Sequence, residues 1–85
     1  MTTTTYTDAQ LDAFTAAGRE IMQGHHEQGA TDRLTEVSLS GDIELLEETA
    51  QAQGLDEMPN GYSGDAAWKA VFEGIEAYAD EHGLA

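Results

Sequence analysis

The sequence predicts an all-α protein, a compact bundle of three long helices, and three observations support that prediction. Apolar residues recur at helical spacing in three separate stretches of the chain. A glycine follows each of those stretches, where helices commonly end in a left-handed residue. The chain has 85 residues and a single proline, which is enough for one domain with a modest core.

The first helix is predicted to run from Asp8 to about His26. Thr7 can cap it, because Gln10 stands three residues later in the capping-box position. Gly29 is the expected end of this segment. The threonine-rich residues 1–6 are predicted to be a flexible N-terminus, and residues 7–85 to be a single acidic helical domain. The buried face should carry Leu11, Phe14, Gly18, Ile21, Met22 and His25.

Residues 30–40 allow two interpretations. A short extra helix at 31–38 is one, with Thr31 or Asp32 as its cap. A strand is the other, paired with the early threonines. We favour the short helix. The strand interpretation comes from the alternation of Thr35, Val37 and Leu39.

The tripeptide Ser-Gly-Asp occurs at 40–42 and at 63–65, each time ahead of a helical pattern. Serine is a good N-cap and aspartate suits a first turn, so we predict helices over about 42–53 and 64–82. Each ends in a Gly-Leu pair, as expected at a left-handed terminus. The stretch "LDEMPNGYSG" between them, with its Pro-Asn-Gly turn, is predicted to be a loop.

The last helix has a bulky apolar face, and beside it lies a stripe of small residues, namely Ala66, Ala67, Ala70, Gly74 and Ala77. We assign Trp68, Phe72, Ile75 and Tyr78 on the bulky face to the core. Because both faces can pack, this helix is expected to lie at the centre of the domain. Glycine costs about 1 kcal/mol inside a helix relative to alanine, so close helix crossings are predicted at two glycines. These are Gly18 in the first helix and Gly74 in the last.

The charge balance excludes several classes of function. Seventeen acids face three bases, a net charge of -14, and such a chain repels nucleic acid and anionic membranes. The absence of cysteine excludes disulfides and thiol catalysis. No apolar run has the length of a membrane span, and the first ten residues have neither the basic nor the apolar region typical of a signal peptide. We therefore expect a cytoplasmic protein that binds neither nucleic acid nor membrane directly.

No residue pattern predicts an enzyme, a cofactor or a metal site. His25 and His26 point about 100° apart on a helix, so the pair alone cannot hold one metal ion. His25 is expected at the core edge, while His26 and His82 are expected to be solvated near helix ends. Three serines are candidate nucleophiles, but none lies in a GxSxG motif. They are Ser38, Ser40 and Ser63.

The second helix gathers acids on one side. Glu44, Glu47 and Glu48 lie three and four residues apart and repel one another, and no base lies within eight positions of them. Such a face suits a basic partner, and we expect that partner to be the nucleic-acid-binding surface of another protein. The predicted partner-binding residues are Asp42, Glu44, Glu47, Glu48, Asp56 and Glu57.

In size and composition the chain resembles the small acidic nucleic-acid mimics with which phages oppose restriction and CRISPR systems. The resemblance covers no particular motif, and it implies an inhibitor of anti-CRISPR or anti-restriction type acting in the host cytoplasm. The alternative is a halophilic adaptor or homo-oligomer subunit whose acidity serves solubility. A third interpretation, a small metal-binding or ligand-binding bundle, has no support from residue spacing.

Overall fold

The computed structural model describes residues 6–37, 40–56, 58 and 61–84, without the side chains of residues 61–65. These residues form three α-helices, namely α1 (Asp8–Glu27), α2 (Ser40–Ala52) and α3 (Gly61–Glu81). No strand occurs within this part of the chain. The predicted all-α bundle is confirmed, with helices of 20, 13 and 21 residues.

The start of α1 is fixed by the predicted capping box. The backbone N–H of Gln10 donates to the Thr7 hydroxyl at 3.1 Å, and the Gln10 side chain accepts from the Thr7 N–H at 2.9 Å. The Gln10 amide also donates to the carbonyl of Gln53 at 3.2 Å. Because Gln53 follows the end of α2, this bond shows that α1 and α2 run antiparallel.

All three helices end in the same hydrogen-bonded turn, as the glycine signals predict. After α2, Gly54 has φ +84°, and the Leu55 N–H donates back to the Ala50 carbonyl at 2.9 Å. The equivalent bond after α3 joins Leu84 to Ala79 at 2.8 Å. These bonds satisfy carbonyls that the helix itself leaves unpaired. The apolar residue after each glycine also packs against the core; these residues are Ala30, Leu55 and Leu84.

The close crossing of α1 and α3 is confirmed at both predicted glycines. A Cβ atom on Gly18 would overlap the Val71 carbonyl group, at 2.8 Å from its carbon. A Cβ atom on Gly74 would overlap the Thr15 carbonyl and lie 2.9 Å from the Arg19 nitrogen. Such distances lie inside van der Waals contact, so only glycine lets the two backbones approach this closely.

The central helix is α1, which corrects the expectation that the last helix lies at the centre. Helix α1 contacts both other helices, whereas no Cα atom of α2 lies within 8 Å of one in α3 among the described residues. Gly74, in the small stripe of α3, packs against α1, and α1 is the only helix in contact with α3 among the described residues. Ile75 and Tyr78 are buried as predicted, while Trp68 and Phe72 are partly buried at the core edge.

The hydrophobic core lies between α1 and α3, and α2 closes one side of it. Tyr6, which was assigned to the flexible N-terminus, is also buried, and its ring meets Phe14 edge-on at 6.4 Å. Burial raises the pKa of the Tyr6 phenol. The remaining segment of the predicted N-terminus, residues 1–5, lies outside the described residues. The largest fully buried side chains are those of Phe14, Met22, Leu46, Ile75 and Val71.

The extra helix predicted at 31–38 is wrong over the described residues, because residues 30–37 form neither helix nor strand. This segment instead connects α1 to α2 across the end of α3. Arg33 donates to Asp80 at 2.6 Å and reaches the Leu84 carbonyl, while Leu34 packs against the core. A segment of this length is a marginal helix in isolation, so these tertiary contacts decide its path.

The two Ser-Gly-Asp signals predict the helix starts only approximately. Helix α2 includes Ser40 as its first residue, and α3 begins at Gly61, so Ser63 lies inside its first turn. The prediction of Ser63 as an N-cap is therefore wrong. A serine side chain can hydrogen-bond to the backbone of the first helical turn from more than one position. A serine therefore indicates the region in which a helix begins, but not its first residue.

Replacing Gly18 or Gly74 with alanine should destabilise the protein by about 2 kcal/mol or more, because the new methyl group forces α1 and α3 apart. Gly24→Ala is the matched control, since nothing lies within 4 Å of the methyl group it would add to α1. That control should stabilise the helix by up to about 1 kcal/mol. Urea unfolding measures the free energy of unfolding of all three variants. Equal effects of the Gly18 and Gly24 variants would contradict the close crossing.

Candidate functional site

The candidate site is the outward face of α2. Glu44, Glu47 and Glu48 are all exposed there, while Leu46 and Ala50 on the opposite side are fully buried against the core. The helix rises 1.5 Å per residue, so Glu44 and Glu48, four positions apart, are separated by about 6 Å along the axis. The fold thus presents these three acids on one rigid element, as the helical spacing predicts.

None of the described cations neutralises this acidic face. Arg19 pairs with Glu81 at 2.5 Å, and Arg33 pairs with Asp80 at 2.6 Å, both at the end of α3. Lys69 is exposed on α3, which has no close approach to α2. The three glutamates of α2 therefore carry their charge without a counter-ion among the described residues.

Asp42, the fourth predicted contact, has a different environment. Its Oδ2 accepts a hydrogen bond from Nε2 of His25 at 2.8 Å, and both side chains are largely covered, with 20% and 17% of the histidine and aspartate exposed. Sequence inspection misses this pair because 17 positions separate its members. Asp42 thus ties the first turn of α2 to the last turns of α1, and it is less available to a partner than the three glutamates.

A groove of about 540 Å³ lies between the end of α1 and the start of α2. The His25–Asp42 pair lies in its wall, together with Leu45 and the acidic side chains of Glu20 and Glu27. Glu20 and Glu27 are exposed. The groove therefore extends the negative surface from α2 onto α1, which sequence spacing within α2 did not indicate.

The loop acids predicted to extend the patch are only partly described. Asp56 is exposed just beyond the end of α2, and Glu57 lies outside the described residues. Among the candidate nucleophiles, Ser38 and the side chain of Ser63 also lie outside them. Ser40 is exposed at the first position of α2.

A second cluster of polar side chains lies where α1 and α3 end. His26 is partly buried and not solvated as predicted, with its Nδ1 3.1 Å from the Tyr78 hydroxyl. The exposed ring of His82 stacks on Tyr78 with ring centres 4.1 Å apart. The prediction of a solvated His26 is wrong because α3 lies beside this end of α1 and covers the ring.

Within the described part of the chain, no group of three or more His, Asp or Glu side chains is placed to hold a metal ion. No helix there is long and apolar enough to cross a membrane. Comparison with known protein families, curated proteins and solved structures gave no match.

Removing the His25–Asp42 bond should cost more than removing a surface ion pair. In a double-mutant cycle of His25→Ala and Asp42→Ala we expect a coupling free energy of about 1 kcal/mol, because the pair is largely shielded from water. The control cycle uses Arg19 and Glu81, whose side chains are 42% and 56% exposed, and should give less than about 0.5 kcal/mol. Denaturant unfolding supplies both values, and equal coupling would contradict the assignment.

Proposed function

We propose that this protein is a non-enzymatic binding domain that inhibits a partner by occupying its basic nucleic-acid-binding surface. The observation that carries the proposal is the row of exposed, uncompensated carboxylates of Glu44, Glu47 and Glu48 on one rigid helix. The rise of about 6 Å along the axis from Glu44 to Glu48 is close to the interval between successive phosphates on a strand, and Glu47 lies on the same face. Lysine and arginine side chains arranged for phosphates could therefore form charge-assisted hydrogen bonds with them.

The support of α2 favours a preformed binding surface. Leu46 and Ala50 anchor the helix in the core, the His25–Asp42 bond holds its start, and the Gln10–Gln53 bond holds its end. The acidic face therefore needs little ordering when a partner binds, which lowers the entropic cost of association. The net charge of -14 would attract a basic partner from a distance and make association dependent on salt.

The solubility alternative has one observation in its favour. Exposed acids without a cationic partner also lie on the other two helices, as expected of a charged coat that keeps a protein dissolved at high salt. Under this alternative the acids of α2 have no special role. The acids in question include Asp8, Asp12, Glu20, Glu73 and Glu76.

The triple variant Glu44→Gln, Glu47→Gln, Glu48→Gln should lower partner affinity between about tenfold and a hundredfold, because three ion pairs of about 0.5–1 kcal/mol each are lost. The partner is first captured from host lysate at low salt and identified. Fluorescence anisotropy of labelled nucleic acid bound to that partner then measures displacement by the domain. The parent should displace the nucleic acid, and the variant should need a correspondingly higher concentration.

The matched control removes the same charge elsewhere, through Glu36→Gln, Glu73→Gln and Glu76→Gln, all at exposed positions. This control should retain most of the affinity. A captured partner that keeps its nucleic acid, or two triple variants that behave alike, would overturn the proposed function. Circular dichroism of each variant establishes that the fold is retained.

Salt dependence of stability separates the proposed function from the solubility alternative. Like-charge repulsion is largely screened once the Debye length falls to a few ångströms, near 1 M salt. We expect the free energy of unfolding to rise up to about this concentration of KCl and then level off. A continued rise through several molar KCl would instead support the solubility alternative. Urea titrations at stepped KCl concentrations make the measurement.

A further inference from the structure

The cluster at the ends of α1 and α3 brings two histidines together that are far apart in the sequence. The ring centres of His26 and His82 lie 5.3 Å apart, with their planes tilted by 56°. Tyr78 contacts both rings, edge-on to His26 at 5.7 Å and stacked on His82 at 4.1 Å. Three aromatic side chains from two helices thus converge at one end of the bundle.

The contact between His26 and Tyr78 is compatible with a metal-binding tautomer of the imidazole. When Nδ1 of His26 carries the proton, it donates to the Tyr78 oxygen at 3.1 Å, and Nε2 keeps a free lone pair. Histidine ligands of metals are typically held in this way, with the second nitrogen bonded to a neighbouring acceptor. Tyr78 is buried in the core, so the acceptor is held in a fixed position.

The separation of the rings agrees with coordination of one ion by both. A zinc–nitrogen bond of about 2.0–2.1 Å and tetrahedral geometry place two imidazole centres roughly 5 Å apart. His82 is exposed and lies just beyond the end of α3, so water can supply the remaining ligands.

We propose that His26 and His82 form a two-histidine site for a divalent transition-metal ion of the Zn²⁺ class, with Tyr78 as the residue that orients His26. Zn²⁺, Ni²⁺ and Cu²⁺ bind well to imidazole nitrogen, whereas Mg²⁺ and Ca²⁺ prefer oxygen ligands. Water completes the coordination shell, so the site is open and its affinity is lower than that of a three- or four-residue zinc site. The negative field of the domain attracts the cation. This proposal is independent of the acidic face of α2.

The test is isothermal titration of the full chain with ZnCl₂, in excess Mg²⁺ to occupy carboxylates and in buffer alkaline enough to keep imidazole neutral. The parent should bind one zinc ion per chain. His82→Gln and His26→Gln should each weaken binding by at least about tenfold, because half the protein ligands are lost. Tyr78→Phe should weaken binding by about tenfold through the lost hydrogen bond to His26.

His25→Gln is the matched control, because it removes the third histidine, which bonds to Asp42 instead. It should change zinc affinity by less than about twofold. If His26→Gln is too unstable to measure, His82→Gln still tests the site, because His82 is exposed at the end of the helix. Zinc binding that survives His82→Gln, or that falls equally in the His25 control, would overturn the proposal.

Discussion

The approach of the α1 and α3 backbones at Gly18 and Gly74 is the contact on which the rest of the fold depends. The two glycines lie at one crossing, each against a carbonyl group of the other helix. Leucine, isoleucine, valine and phenylalanine account for only 14 of the 85 residues, so large side chains cannot fill a wide interhelical space. Close packing of small residues instead brings many backbone atoms into dispersion contact.

The position of α2 follows from that crossing. Since α1 and α3 pack against each other at Gly18 and Gly74, α2 packs against the remaining side of α1, through a narrow apolar stripe that includes Leu46 and Ala50. Polar bonds at both of its ends, to Gln10 and to His25, supplement this small contact. A helix supported on one side necessarily exposes the other, and that side carries the three glutamates.

Local signals in the sequence predicted the features that depend on neighbouring residues. The Thr7–Gln10 capping box, the glycine-terminated helix ends and the two glycines of the crossing could all be read directly, because each reflects a steric or hydrogen-bonding requirement within a few residues.

The path of residues 30–37 could not be predicted, because Arg33 binds Asp80, which is 47 positions away. The bonds of Asp42 and His26 were missed for the same reason, since their partners belong to other helices. The sequence therefore indicated which residues are acidic and exposed, but not which of them the fold would neutralise.

The placement of the few cations bears on why the acids of α2 are present. Asp80 and Glu81 lie in the last turn of α3, where the negative end of the helix dipole makes a carboxylate unfavourable. Arg33 and Arg19 bind these two carboxylates and so offset that cost. Asp42 lies in the first turn of α2, where the helix dipole stabilises a carboxylate. It also forms a hydrogen bond with His25.

Glu47 and Glu48 have neither form of compensation. They lie beyond the first turn of α2, where the dipole has little effect, and they stand three and four residues from Glu44, so the three charges repel. Leu46 and Ala50 supply the packing of this helix, and glutamine at the glutamate positions would have a similar helix propensity without the repulsion. Folding therefore gives no reason for the charge at these positions. A requirement outside the fold, either a basic surface to bind or a saline solvent, is what would retain it.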